Sequence, residues 1–389
     1  MTISSQRVAQ IKTPSFSDLN AAKDAYTKKT GKNVIDFSIG SSNIPPCDAV
    51  KNAISNAALQ DEAYQYTLQP SEELIEALQA WYQDRFGVTL EKDEIFPLKG
   101  SQEALSHFPC AVCDPGDLVI VPDPCYPIYR FAPVLAGAEP WFVPMKKEND
   151  YLIDFNDIPD EIADKAKLMI VSYPNNPTGA IANDEFYEKL IEFARKHNIL
   201  ILHDNAYSEL IFTGQEGKSF LSYPGAKEIG IELNSFSKAY SMGGARMAVM
   251  VGNAEMVQAY SKLMNTIDFQ SFSPVHKGAL AALRESGEFA HEVRDEYKRR
   301  AEFLIDAFKQ AGWSIDPVKS TMFVWAPIPD SYEDSLDFMN DLLEKTGVLV
   351  NSGSSFGVQG KRFVRLALVR SDEEVAEAAN RIQQSGLWK

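Results

Sequence analysis

The chain is poor in cysteine, with four in 389 residues. A chain long enough to bury its own core does not need a disulfide framework, so none is expected. Cys110 and Cys113 form a C-x-x-C, but no second such pair accompanies them and the five histidines are scattered. Small buried side chains are therefore a better reading than a metal or redox site. No run of about 18 apolar residues exists, so no membrane span is expected. The first ten residues are polar and lack the apolar stretch of a signal peptide. A reducing cytoplasm is the expected location. Basic residues are also in deficit, 38 Lys and Arg against 54 Asp and Glu, for a formal net charge of −16. Nucleic acid and anionic membrane surfaces attract basic faces, so neither is an expected partner. No internal repeat, low-complexity tract or Gly/Ser linker interrupts the chain.

What is present is the balance of a globular protein, 45% apolar and 24% charged residues. The length favours two domains. From about residue 95 to residue 252, short β-rich apolar runs alternate with helical patterns, which predicts a parallel sheet covered by helices. The strands are expected at 118–121, 140–143, 168–172, 199–203, 230–234 and 247–251. The runs 168–172 and 199–203 are apolar almost throughout, as strands buried on both faces are. Between them, Asp184–His197 reads as a helix with acids in its first turn and bases in its last. After residue 252 helical periodicity dominates over 273–311. A shorter α+β segment follows, with strands at 321–326 and 363–369 and a closing helix at 372–384. We expect a large domain over 46–285, a small domain over 286–389, and an N-terminal arm, 1–45, that joins the small domain.

Ligands of open α/β sheets bind beyond the carboxyl ends of the strands. Three of the expected strands deliver polar residues to that edge. One ends just before Asn176, in Asn175-Asn176-Pro177-Thr178-Gly179. Another ends at Asp204, with Tyr207 three residues on. The third ends just before Ser235-Phe236-Ser237-Lys238, with Arg246 eight residues later. An amine, a carboxylate, a phenol, an amide and a guanidinium are together what pyridoxal phosphate requires. Lys238 suits the aldehyde and would then move the substrate's α-proton. Asp204 suits the ring nitrogen, and Tyr207 and Asn176 the ring oxygen. The phosphate calls for Arg246, Ser235 and Ser237, together with Gly100-Ser101-Gln102, where a glycine turn opens a helix expected over 102–112. Tyr126, in Asp123-Pro124-Cys125-Tyr126-Pro127, is a candidate to stack on the ring. Arg365 sits in an apolar strand, where an unpaired guanidinium is costly, so a carboxylate partner is expected, the candidate being the substrate's.

These motifs resemble the class I/II, fold-type-I pyridoxal-phosphate aminotransferases, over about residues 36–382. Within that family the stretch 114–180 is most similar to the diaminopimelate- and aspartate-type enzymes. The resemblance implies a mostly parallel seven-stranded sheet between helices, with a smaller α+β domain. It implies a transaminase acting on an amino acid and a 2-oxo acid, with 2-oxoglutarate and glutamate as one pair. It also implies substrate contacts at Gly40, Asn176 and Arg365, and a homodimer in which Tyr66 and the loop 265–273 reach the neighbouring subunit's site. The chain departs from the family pattern at Ala245 and Ala248 beside Arg246, at the turn Gln69-Pro70-Ser71-Glu72, and at Ser352 before Gly353. Those positions line the substrate mouth or the subunit contact, so they bear on substrate choice. A carbon–sulfur β-lyase of the same fold is the alternative reaction. A non-catalytic regulator is disfavoured, since a binder has no need of Lys238 as a proton carrier.

Overall fold

The computed structural model describes residues 3–11, 16–285 and 287–388. Met1 and Thr2 of the polar N-terminal segment, and position 286, where the small domain is expected to begin, lie outside the described residues. The strands, in chain order, are β1 Ile35–Asp36, β2 Ile95–Leu98, β3 Leu118–Asp123, β4 Glu139–Pro144, β5 Ala166–Ser172, β6 Leu200–Asp204, β7 Gly230–Ser235, β8 Ala248–Gly252, β9 Phe323–Pro327, β10 Val348–Leu349, β11 Asn351–Ser352 and β12 Phe363–Ala367.

Seven of these form one sheet in the order β2-β8-β7-β6-β5-β3-β4. Strands β3 to β7 are parallel, and β8 alone runs against its neighbours β7 and β2. Why β5 and β6 read as unbroken apolar runs is now visible. Leu168 and Ile170 enter the core on one face of the sheet, while Met169 and Val171 enter the core on the other. Each buried aliphatic side chain contributes about 1.5–3 kcal/mol, so neither face tolerates a polar alternate.

The helix Asp184–His197 connects β5 to β6. Asn183 caps its first turn through the Phe186 amide, and Asn198 ends it in a left-handed conformation. Its buried Phe186, Leu190, Ile191 and Ala194 recur at helical spacing and close one face of the sheet. The helix Ser101–Val112 lies between β2 and β3 and buries Leu105 and Phe108 on the opposite face.

The smaller α+β layer has a three-stranded antiparallel sheet, β11-β12-β9. The helices Ser335–Thr346 and Asp372–Ser385 pack over it, with Trp313, Phe338 and Leu342 in a separate core. In the N-terminal segment, β1 pairs in parallel with β10 to form a separate two-stranded sheet. Differences from the sequence reading are small. The strand expected from residue 321 starts at Phe323, because Thr321 takes a positive φ of 70°. The expected helical stretch 273–311 is described as Ser273–Glu285 and Gly287–Gln310.

Candidate active site

Parallel strands have their carboxyl ends on one edge of the sheet, and there Ser172, Asp204 and Ser235 close β5, β6 and β7. Lys238 follows in the short helix Phe236–Ala239. Its Nζ donates to the Gly40 carbonyl at 3.0 Å, bringing the N-terminal segment over the strand ends. Burial, then the positive fields of Arg365 and Arg246, lower the amine to about 8, with Asp204 pulling the other way. A neutral amine is thus accessible near physiological pH.

Asp204 is buried, and burial raises its carboxyl above the usual range, opposed by the Tyr129 hydrogen bond and by His203. The Tyr129 hydroxyl donates to Oδ2 at 2.6 Å. Among the described residues the other oxygen, Oδ1, is buried with no partner. A buried orphan acceptor at a strand end is costly unless a ligand donor meets it. Tyr129 was missed in the sequence, although it stands one helical turn after Tyr126 in the same segment.

Asn176 is buried, and its Oδ1 accepts from Arg365 Nη1 at 3.0 Å, which leaves its amide N–H groups to donate elsewhere. Arg365 does not meet a protein carboxylate. Its Nη2 donates to the Ser38 carbonyl at 3.4 Å, and among the described residues its Nε is buried without a partner. The guanidinium lies 4.1 Å from the ring centre of Phe323 and 4.7 Å from that of Phe356. Burial lowers its pKa to about 10, so it keeps its charge at neutral pH. Gly40 belongs here by necessity, since a Cβ on it would run into the Phe323 ring. Tyr207 is buried edge-on to Phe323, and Arg365 and Asp204 both act on its hydroxyl.

Tyr126 donates to Gln102 Oε1 at 2.7 Å and feels Arg365, Asp204 and Arg246 together. Gly100, with φ 83°, is the N-cap of the helix Ser101–Val112, and among the described residues no side-chain cap hydrogen bond closes that end. The Arg246 guanidinium occupies the space a Gly100 Cβ would need. A fixed cation therefore lies against uncapped helix N–H groups, a combination that attracts an anion. Ser235 and Ser237 are both buried, and the Ser235 hydroxyl accepts from the Ser237 amide at 3.2 Å. Tyr66 is not joined to this cluster by any hydrogen bond or ring contact among the described residues. It is 79% exposed, and its ring packs against Phe269 at 4.9 Å between centres.

The residues present fit pyridoxal phosphate. An amine of lowered pKa, an orphan buried carboxylate oxygen, spare amide donors and an arginine at a helix start occupy one edge. A family model described as aminotransferase class I and II matches residues 32–382. The LL-diaminopimelate aminotransferase of Dehalococcoides mccartyi is 39% identical over 367 residues, covering 92% of this chain and 94% of that protein. A substrate-bound structure of BacF from Bacillus subtilis superposes with a TM-score of 0.95 at 35% identity, covering 100% of this chain and 99% of that one. A probable N-succinyldiaminopimelate aminotransferase from Thermus thermophilus gives 0.89 at 35% identity, covering 95% and 99%. Site chemistry, fold and full-length similarity converge, and the chain belongs to the class I and II aminotransferases, pyridoxal-phosphate-dependent enzymes of fold type I.

Proposed function

We propose that this aminotransferase exchanges an amino group between an L-amino acid of diaminopimelate or aspartate type and 2-oxoglutarate, with the strand-end cluster as its site. The observation that carries the reading is the common neighbourhood of Lys238, Asp204 and Arg365, the last two both acting electrostatically on the Lys238 amine. Lys238 would hold the cofactor through its aldehyde, and its Nζ would carry the substrate's α-proton. Asp204 presents Oδ1 to the ring nitrogen, with Tyr129 keeping the carboxylate oriented. Asn176 and Tyr207 serve the ring oxygen, and Tyr126 covers a ring face. Arg246, Ser235, Ser237 and the turn Gly100-Ser101-Gln102 take the phosphate. When bound, pyridoxal phosphate supplies the electron sink that acidifies the substrate's α-carbon. Arg365 binds the substrate α-carboxylate, which would satisfy its vacant Nε, and Gly40 leaves room beside it.

The same reading includes a homodimer of cytoplasmic location. Leu59, Tyr64, Tyr66, Leu68, Ile267 and Phe269 are large apolar residues that are about half or more exposed. They lie in two segments, 59–68 and 267–269, and the Gln270 amide ties these together through the Thr67 carbonyl at 3.0 Å. An apolar patch of this kind suits a second copy of the chain, to whose site Tyr66 and the loop 265–273 would be lent. The domain division at 46–285 and 286–389, with 1–45 joined to the latter, belongs to this proposal as well. Among the described residues no helix is long and apolar enough to cross a membrane.

The deciding experiment incubates the purified enzyme with a panel of amino donors and 2-oxoglutarate. Equimolar new oxo acid and glutamate support the reading. Pyruvate with ammonia from a β-substituted donor would establish the β-lyase instead.

A further inference from the structure

The guanidinium of Arg365 lies over two aromatic rings, Phe323 and Phe356, and the two are held very differently. Phe323 is part of β9, paired directly with the strand that carries Arg365. Phe356 lies in the loop after β11, which has no strand pairing of its own. Its start is held from its own layer, where Ser354 bonds Ser335 and Asp334, but the part around Phe356 is held from the other core. Asp123, the last residue of β3, is buried, and its two carboxylate oxygens accept the Val358 amide at 3.0 Å and the Gln359 amide at 3.1 Å. Two residues on, the Cys125 amide donates to the Phe356 carbonyl at 2.9 Å. The loop can approach this closely because Gly357, at φ 144°, carries no Cβ; one would run into the Asp123 carboxylate. Arg130 approaches the same carboxylate at 3.5 Å, so the buried charge has a cation as well as two amides.

We infer that Asp123 is a positioning residue for substrate recognition: it anchors the loop whose Phe356 ring seats Arg365 for the substrate's α-carboxylate. The inference rests on the reading of Arg365 as the carboxylate ligand. A guanidinium packed against two rings has its planar fork restricted, so less freedom is lost when a carboxylate binds. Tyr126 lies immediately beyond Cys125, so one short segment, 123–126, ends at the cofactor face and at the clamp on the arginine.

The test uses cofactor-loaded enzyme and two unreactive probes, α-methylglutamate and its α-carboxamide, with dissociation constants measured by titration calorimetry. The wild-type enzyme prefers the acid. In Asp123→Asn, one amide loses an oxygen acceptor to a facing NH2 group, and the preference for acid over carboxamide falls about tenfold. Cofactor affinity, titrated into the apo protein, stays unchanged, and KM for the amino donor rises with little change in kcat. Phe356→Leu, which leaves the Asp123 clamp in place, gives the same pattern and carries the test if Asp123→Asn does not fold. Equal weakening of both probes, a matching loss of cofactor affinity, or an unchanged preference overturns the inference. Arg365→Ala is the control. If it too keeps the preference for the acid, the carboxylate role of Arg365 is wrong and the proposal falls with it. If it abolishes the preference while Asp123→Asn and Phe356→Leu do not, only the positioning role of Asp123 fails.

Discussion

The Tyr129 hydroxyl donates to one oxygen of Asp204 at 2.6 Å, while among the described residues the other, buried oxygen has no partner. Half of this carboxylate is thus satisfied by the protein and half is left for a ligand. Burial already raises the Asp204 carboxyl, and the Tyr129 hydrogen bond opposes that rise. Tyr129→Phe therefore moves the pKa further up. Activity needs the ionised carboxylate, so it is lost as pH falls through this pKa, and in the variant the loss begins at higher pH. A pH profile of kcat/KM with an unmoved acid limb would remove Tyr129 from the account.

Lys238→Ala should reduce turnover by about a thousandfold or more, because both the cofactor's amine and the proton carrier disappear. The phosphate contacts should still hold pyridoxal phosphate, although weakly. The amine, with its pKa lowered to about 8, is the reactive form only when neutral. The rate at which wild-type apo protein captures the cofactor should rise with pH and level off above about 8. Since Arg365 is among the causes of the lowering, Arg365→Ala should move that midpoint upward. Stopped-flow absorbance over pH 6 to about 10 reads both effects.

Arg246→Ala should cost more in cofactor affinity than in rate at saturating cofactor. Gly100→Ala should behave alike, because its Cβ would displace the same guanidinium. Equilibrium titration of the apo variants against pyridoxal phosphate, beside kcat at saturation, gives the ranking. The reverse order would assign this arginine to the substrate.

Tyr66→Asp combined with Phe269→Asp puts two charges into the exposed aromatic pair. Sedimentation should find the wild-type enzyme at twice the 43.3 kDa of one chain and the double variant near that single-chain mass, with weakened cofactor binding. A wild-type enzyme that sediments as a monomer would end the shared-site reading.

Much of this site was legible in the sequence because parallel strands carry their order into space. Once the runs ending near Asn176, Asp204 and Lys238 were read as parallel neighbours, their ends had to meet. The seven-stranded sheet followed from the family resemblance, and the short edge strand β2 had only a weak local signal. What escaped were contacts between distant segments. The sequence near Arg365 does not reveal that Asn176 and the Ser38 carbonyl accept from its guanidinium. Nor could Asp123 be linked to Val358, 235 residues away, since a carboxylate accepting two backbone amides leaves no periodic trace.

Reduction of the holoenzyme with borohydride, followed by peptide mass mapping, tests the central claim most directly, because it fixes the cofactor to whichever amine holds it. The account predicts a single labelled peptide, modified at Lys238. A label on another lysine, or no label on a fully loaded and active enzyme, would contradict it.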